Sequence, residues 1–227
     1  MPKSFLPKSL HVLFIVMALF FWLFASLLSA LIIILCYILA LYIFRQNRLT
    51  YKDDVAFKND VFYSPVSGIL KSVRHNVDHE FFGTGLSEVH IMMLPWEEFG
   101  IYLPFTCEVK ELKAHRGKRL LRTRSHFTKY LEPMAQTGIN LICEGVNGST
   151  IGLKFMQCLV GGWPEIALLP GDRGKRRTNI GYFPFGGSLI LYLPSHTQLL
   201  VEVGDKLIAG VSVFAGLIKE QRNENNV

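Results

Sequence analysis

Between Leu10 and Phe44 the chain runs for 35 residues without an Asp, Glu, Lys, Arg, Gly or Pro. An uncharged apolar run of that length predicts a membrane segment. As one straight helix it would extend about 50 Å, against a hydrocarbon core of about 30 Å, so it must bend or tilt. Basic residues flank both ends, Lys3 and Lys8 before it and Arg45, Arg48 and Lys52 after it. Cytoplasmic loops favour Lys and Arg, and the symmetry predicts a transmembrane helical hairpin over 10–44. It would turn near Ala25–Ser29 and leave both ends, and everything downstream, in the cytoplasm. No Gly or Pro marks the turn and each arm has only about 16 residues, so a shallow re-entrant hairpin and one long tilted helix stay open. A cleavable signal peptide fits poorly, because its apolar core is ~7–15 residues and no small-x-small cleavage site follows.

Downstream the pattern changes. After a polar connector, short apolar runs alternate with Gly, Pro and Asn, the pattern of an all-β domain. Candidate strands are 68–74, 89–94, 107–112, 138–144, 150–158, 181–185, 189–193, 199–203 and 212–218, and Asn147-Gly148 predicts a tight hairpin turn. The segment from Val201 to Phe214 resembles the hairpins of lipoyl- and biotin-carrier domains, without the lysine turn that carries their cofactor. The expected organisation is a membrane anchor at 1–48, a β domain at 49–218 and a polar tail at 219–227.

The formal charge is +6, and its surplus lies in one stretch. Lys113, Arg116, Lys118, Arg119, Arg122, Arg124 and Lys129 fall within 17 residues that hold no acid. On a membrane-tethered domain such a segment reads as a site for anionic lipid headgroups, and equally as a solvated loop. No aromatic ladder accompanies the charge, which argues against nucleic acid. Cys36, Cys107, Cys143 and Cys158 show no paired spacing, so neither a disulfide framework nor a metal site is expected. Gly171–Lys175 is no phosphate loop, since Leu169 and Arg176 stand where the motif needs Gly and Ser or Thr. His75 and His79, four apart, lie in a strand-to-turn region where they would not share a helix face.

Four further segments, in order, resemble those of the phosphatidylserine decarboxylases in the short, membrane-anchored form. Tyr42-Ile-Phe-Arg-Gln-Asn-Arg48 is similar to the end of that family's anchor, and Ser64-Pro-Val-Ser-Gly68 to its Ser-Pro-x-Asp-Gly. Met93-Leu-Pro-Trp-Glu-Glu-Phe-Gly-Ile-Tyr-Leu-Pro104 is similar to the segment that carries its histidines. Gly181-x-x-x-Phe185-Gly186-Gly187, followed by Tyr192-Leu-Pro194, is similar to its self-processing site, Gly-x-x-x-Phe-Gly-Ser followed by Tyr-Leu-Pro. The resemblance implies a β sandwich and a self-made cofactor. A serine hydroxyl attacks the preceding glycine carbonyl, the chain breaks, and the serine becomes a pyruvoyl group that accepts electrons as CO2 leaves. A histidine oriented by an aspartate moves the first proton.

The departures fall on the working residues. The aspartate position is Ser67, the histidine positions are Phe99 and Tyr102, and the nucleophile position is Gly187. The resemblance therefore implies a membrane-anchored, uncleaved and non-catalytic relative without a cofactor. Its expected partners are anionic phospholipid, phosphatidylserine among the choices, and either a partner decarboxylase or a second copy of itself. Its expected place is the bacterial cytoplasmic membrane. The alternative is an active decarboxylase with a pyruvoyl group formed at Ser188 after a one-residue shift, its base supplied by His90, His126 or His196.

Overall fold

The structure is a computed structural model that describes residues 8–24, 27–45, 61–94, 96–115, 137–146, 148–158 and 162–217. Two helices open the chain, α1 (Lys8–Phe24) and α2 (Leu27–Ile43). They pack on one another, with His11 Nδ1 2.8 Å from the Tyr37 hydroxyl and the Phe14 ring 5.3 Å from that of Tyr37.

The expected helical pair is thus present, but the expectation of transmembrane arms needs correction. Neither helix is long and apolar enough to cross a membrane. The reason is length: 17 residues at ~1.5 Å each fall short of a ~30 Å core. Both helices nevertheless expose large apolar side chains, among them Val12, Phe20, Trp22, Leu35 and Leu39.

The other regular elements among the described residues are β-strands. They are β1 (Val61–Tyr63), β2 (Gly68–His79), β3 (Gly83–Met92), β4 (Gly100–Tyr102), β5 (Cys107–His115), β6 (Gly138–Gly145) and β7 (Thr150–Gln157). They continue with β8 (Glu165–Ile166), β9 (Arg173–Gly174), β10 (Asn179–Tyr182), β11 (Gly187–Leu193), β12 (Thr197–Leu199), β13 (Lys206–Leu207) and β14 (Val213–Leu217). An eight-stranded antiparallel sheet has the order β13-β2-β3-β11-β7-β6-β5-β9. Two three-stranded sheets, β1-β14-β12 and β4-β10-β8, complete the domain.

Alternation along the central strands decides which face is the core. Leu189, Leu191 and Leu193 of β11 join Phe155 and Leu153 of β7 and Val89 and Ile91 of β3 in one buried cluster. The same cluster takes in Phe62 and Phe214 from one small sheet and Ile101 and Ile180 from the other, so all three sheets share a core.

Gly148 takes φ 75° and donates its N–H to the Gly145 carbonyl, closing the turn between β6 and β7 as its sequence predicts. The carrier-type hairpin at 201–214 is not reproduced as read. There β13 leaves its neighbours to pair with the edge strand β2, while β14 pairs with β1 and β12. Lys206 and Leu207 sit opposite Ile69 and Gly68, so this short strand extends the large sheet.

Candidate functional site

The corner at 183–187 is made by its local sequence. Gly186 donates its N–H to the Phe183 carbonyl at 2.9 Å across Pro184 and Phe185. Proline fixes the first central φ, and Phe185 follows at φ 57°, the sign pattern of a type II turn. That second central position normally takes glycine or asparagine, and a phenylalanine there is a backbone outlier.

Aromatic contacts hold it. The Phe185 ring lies 5.4 Å from Phe44 and 6.2 Å from Phe99, and Phe44 lies 5.9 Å from Phe99. The residue that follows α2, a position where the resemblance implies histidine, and the corner itself therefore meet in one cluster. Arg45, next in the chain, folds back on the end of α2, with Nη1 2.9 Å from the Tyr42 carbonyl and its guanidinium 4.3 Å from the centre of the Tyr42 ring.

The four family positions are brought to the same region. Phe183 donates its N–H to the Phe99 carbonyl at 2.7 Å, and Tyr102 donates its N–H to the Pro65 carbonyl at 2.8 Å, beside Ser67. What those positions now carry is structural. Phe99 is fully buried. The buried Tyr102 hydroxyl donates to Glu98 Oε1 at 2.5 Å. Ser67 Oγ accepts the Ala209 N–H at 3.0 Å, a clamp on the segment that leads to β14. Gly187 offers no hydroxyl and has no room for one: an added Cβ would lie 2.6 Å from both the Met156 carbonyl oxygen and Phe183 Cε1. The residues present do not fit a pyruvoyl centre at this position.

Ser188 follows without a bulge. Gly187 pairs with Gln157 and Ser188 with Met156, and the ladder stays in register through Tyr192. In a strand, successive side chains alternate, so Ser188 points to the sheet face opposite that of Gly187. It is buried there between Met156 and Met92. Of the three bases considered for it, His196 is exposed at the β11–β12 turn, and His126 lies outside the described residues. His90 is on the same face, two residues along β3 from Met92.

That second face carries a buried polar layer. In one row across the sheet, Lys113, Asn140, Lys154, Ile190 and His90 stand opposite one another. In the next, Tyr192 sits beside Glu88, which is ion-paired to Arg74. Burial, with the charges of Arg74 and Lys71, lowers His90 from 6.5 to about 4. Of the expected headgroup residues, Lys113 falls in β5 at the edge of this layer. Arg116, Lys118, Arg119, Arg122 and Arg124 lie outside the described residues.

A pH dependence follows from His90. Its folded value is depressed, so the unfolded chain takes up the proton first as pH falls, and neutral His90 favours the folded state. That contribution is complete above 6.5 and is lost as pH falls through about 4. It amounts to roughly 3 kcal/mol. Urea midpoints are expected to drop between pH 7.5 and pH 4, and His90→Gln should flatten part of the drop.

The sequence reading did not find the Glu98–Tyr102 pair, the aromatic cluster around Phe44 or the polar layer. The layer had a signal: Asn140, Lys154 and His90 are polar residues in mid-strand among Ile, Leu, Phe and Val. In an antiparallel sheet they fall on one face whenever the strands pair in this register.

The fold and site define a class: an antiparallel β domain behind a helical pair, with a glycine corner, a Ser-Pro segment and the segment around Phe99 and Tyr102 gathered at one end of the large sheet. The chain belongs to the phosphatidylserine decarboxylase family, whose model matches residues 58–215. It is 22% identical over 188 residues to a phosphatidylserine decarboxylase proenzyme of Amoebophilus asiaticus, covering 80% of this chain and 76% of that one. A second such proenzyme, from Saccharopolyspora erythraea, is 22% identical over 179 residues, covering 78% and 72%.

Proposed function

We propose that this chain is an uncleaved, non-catalytic member of its family. It keeps the lipid-facing shell without making a pyruvoyl group. Its helical pair lies in a membrane, and its β domain stands on the cytoplasmic side, engaging anionic phospholipid or a partner decarboxylase.

The observation that carries this reading is the packing at Gly187. The nucleophile position lacks both a hydroxyl and the space for one. Ser188, the nearest alternative, faces away from the family positions in an unbroken ladder. Membrane attachment is supported by the side chains of α1 and α2, because a continuous apolar surface of this kind needs lipid or protein cover. A shallow, re-entrant placement suits helices of this length. The cytoplasmic orientation is supported by the basic residues on both flanks.

Intact mass of the full chain, recovered from alkali-washed membranes after prolonged incubation, tests both parts. One uncleaved species retained in the membrane is expected. A fragment beginning at residue 188 with a blocked N-terminus, lost in Ser188→Ala, would overturn the non-catalytic reading. Release by alkali would overturn the attachment.

A further inference from the structure

The helices α1 and α2 meet antiparallel, with His11 and Phe14 against Tyr37, so the start of α1 and the end of α2 stand together at the foot of the pair and their other ends form its tip. At that foot the β domain is joined on, through the rings of Phe44, Phe99 and Phe185. Around the junction lies an apolar surface that the core does not use. Trp96 is 58% exposed, Tyr42 56% and Phe185 43%. Arg45 links the first two: its Nη1 is 3.5 Å from the Trp96 carbonyl, and its guanidinium is 4.3 Å from the centre of the Tyr42 ring.

A tryptophan and a tyrosine with an arginine between them suit the boundary between acyl chains and water. Their rings have apolar bodies and a polar edge, and the guanidinium can reach lipid phosphate from an apolar stem. The neighbouring acids do not oppose anionic headgroups there. Glu97 is ion-paired to Lys206 at 2.6 Å, and the buried Glu98 accepts from the Tyr102 hydroxyl. Distance leaves the domain little freedom. Leu39 of α2 is exposed, and Tyr42 is one turn further on, about 5 Å along the axis. The Phe185 ring is 5.4 Å from that of Phe44, two residues beyond Tyr42, so lipid that covers α2 reaches the corner of the β domain as well.

Phe185 itself favours this placement. It holds a φ of 57°, where glycine would be unstrained, yet much of the side chain faces outward. Phe44 and Phe99 cover one side of the ring, and acyl chains would cover the open side.

Resting on the membrane placement of the helical pair, we propose that the β domain is seated directly on the bilayer through this foot. Trp96 and Tyr42 lie at headgroup level, Arg45 meets lipid phosphate, and the open side of Phe185 lies against the acyl boundary. The glycine corner is then a lipid contact in its own right.

The test is fluorescence quenching of the full chain in vesicles of phosphatidylcholine and phosphatidylglycerol whose acyl chains carry bromine near either the glycerol end or the methyl end. The chain has three tryptophans, so Trp22→Phe with Trp163→Phe leaves Trp96 as reporter, and Trp96→Phe with Trp163→Phe leaves Trp22. Trp96 is expected to lose most of its emission to the shallow bromines, less to the deep ones and little to aqueous iodide. Arg45→Glu, which sets a carboxylate against anionic headgroups, should shift that balance from bromine toward iodide; an unchanged balance would overturn the role given to Arg45. Trp22, in α1, reports the attachment itself. Trp22 quenched by bromine while Trp96 is open to iodide alone would overturn the seat and leave the attachment standing, whereas Trp22 unquenched by bromine would overturn both. Trp96 shielded from bromine and iodide alike would place a protein partner or a second copy over the foot and overturn the proposal. Trp96 quenched best by the deep bromines would overturn its headgroup placement. Where the Trp163→Phe variants fail to fold, the difference in quenching between the unaltered chain and Trp96→Phe reads the same residue.

Discussion

Placing serine at position 187 is expected to destabilise the β domain without starting self-cleavage. The new Cβ would lie 2.6 Å from the Met156 carbonyl oxygen and closer still to Cζ of the Phe183 ring. Real Cβ atoms do not approach so closely, and one of the two neighbours must yield. The carbonyl belongs to β7, which pairs with β11 from Gly187 to Tyr192, so moving it disturbs the centre of the large sheet. Phe183 is fully buried and its ring is 6.3 Å from Phe155, so it has no open space to enter. Overpacking of this kind costs roughly 1–3 kcal/mol, and the involvement of backbone puts Gly187→Ser in the upper part of that range. The urea midpoint should fall with an unchanged slope while the intact mass stays that of the full chain. A fragment beginning at residue 187 would show that the corner still supports the acyl shift. The proton transfers would also lack their groups if, as the resemblance implies, Phe99, Tyr102 and Ser67 stand at the two histidine positions and the aspartate position.

What the sequence shows most clearly is alternation. The runs at 107–112, 138–144, 150–158 and 189–193 lie within or nearly coincide with β5, β6, β7 and β11, because each carries alternating apolar residues, in β5 as far as Val109, and ends at a glycine, proline or polar break. The β2–β3 hairpin is harder. Its outer half, His75 to Glu80, is polar, and its pairing comes from register shifts around Arg74 and Val77 that no periodicity announces. Strands of two or three residues, such as β4, β9 and β13, are set by the partners they meet and have no pattern of their own.

The site divides in the same way. That Ser67, Phe99, Tyr102 and Gly187 stand where the resemblance implies an aspartate, two histidines and a serine is legible residue by residue. What these residues hold together is not, because it depends on contacts between distant segments: Tyr102 with Pro65, Ser67 with Ala209, Phe99 with Phe44. The apolar run was legible as two short helices, since arms of about 16 residues were expected and α1 and α2 have 17 each. Their composition, uncharged throughout the run, nevertheless read as membrane-crossing, although helices of that length fall short of a span.

Phe99→Ala is expected to be the most damaging of the substitutions at the family positions. The side chain is fully buried in the core cluster, and truncating a buried phenylalanine costs roughly 3–5 kcal/mol through lost transfer energy and the cavity left behind. The cavity would open beside Phe185, whose positive φ depends on its ring contacts with Phe44 and Phe99. Removing Phe99 therefore loosens the corner and the docking of α2 together. Urea unfolding in micelles should register the loss of stability. Amide exchange should register the loosened junction, with faster exchange at Phe44, whose N–H donates to the Ala40 carbonyl at 2.9 Å. Phe185→Gly is the informative contrast. It loses the same ring contacts from a side chain that is 43% exposed, and it removes the backbone strain, so the two effects oppose and the midpoint should move little. A large loss in Phe99→Ala with a small one in Phe185→Gly would place the structural weight of the cluster on Phe99. Equal losses would place it on the corner instead, and would contradict the reading of Phe99 as the residue that joins the helical pair to the β domain.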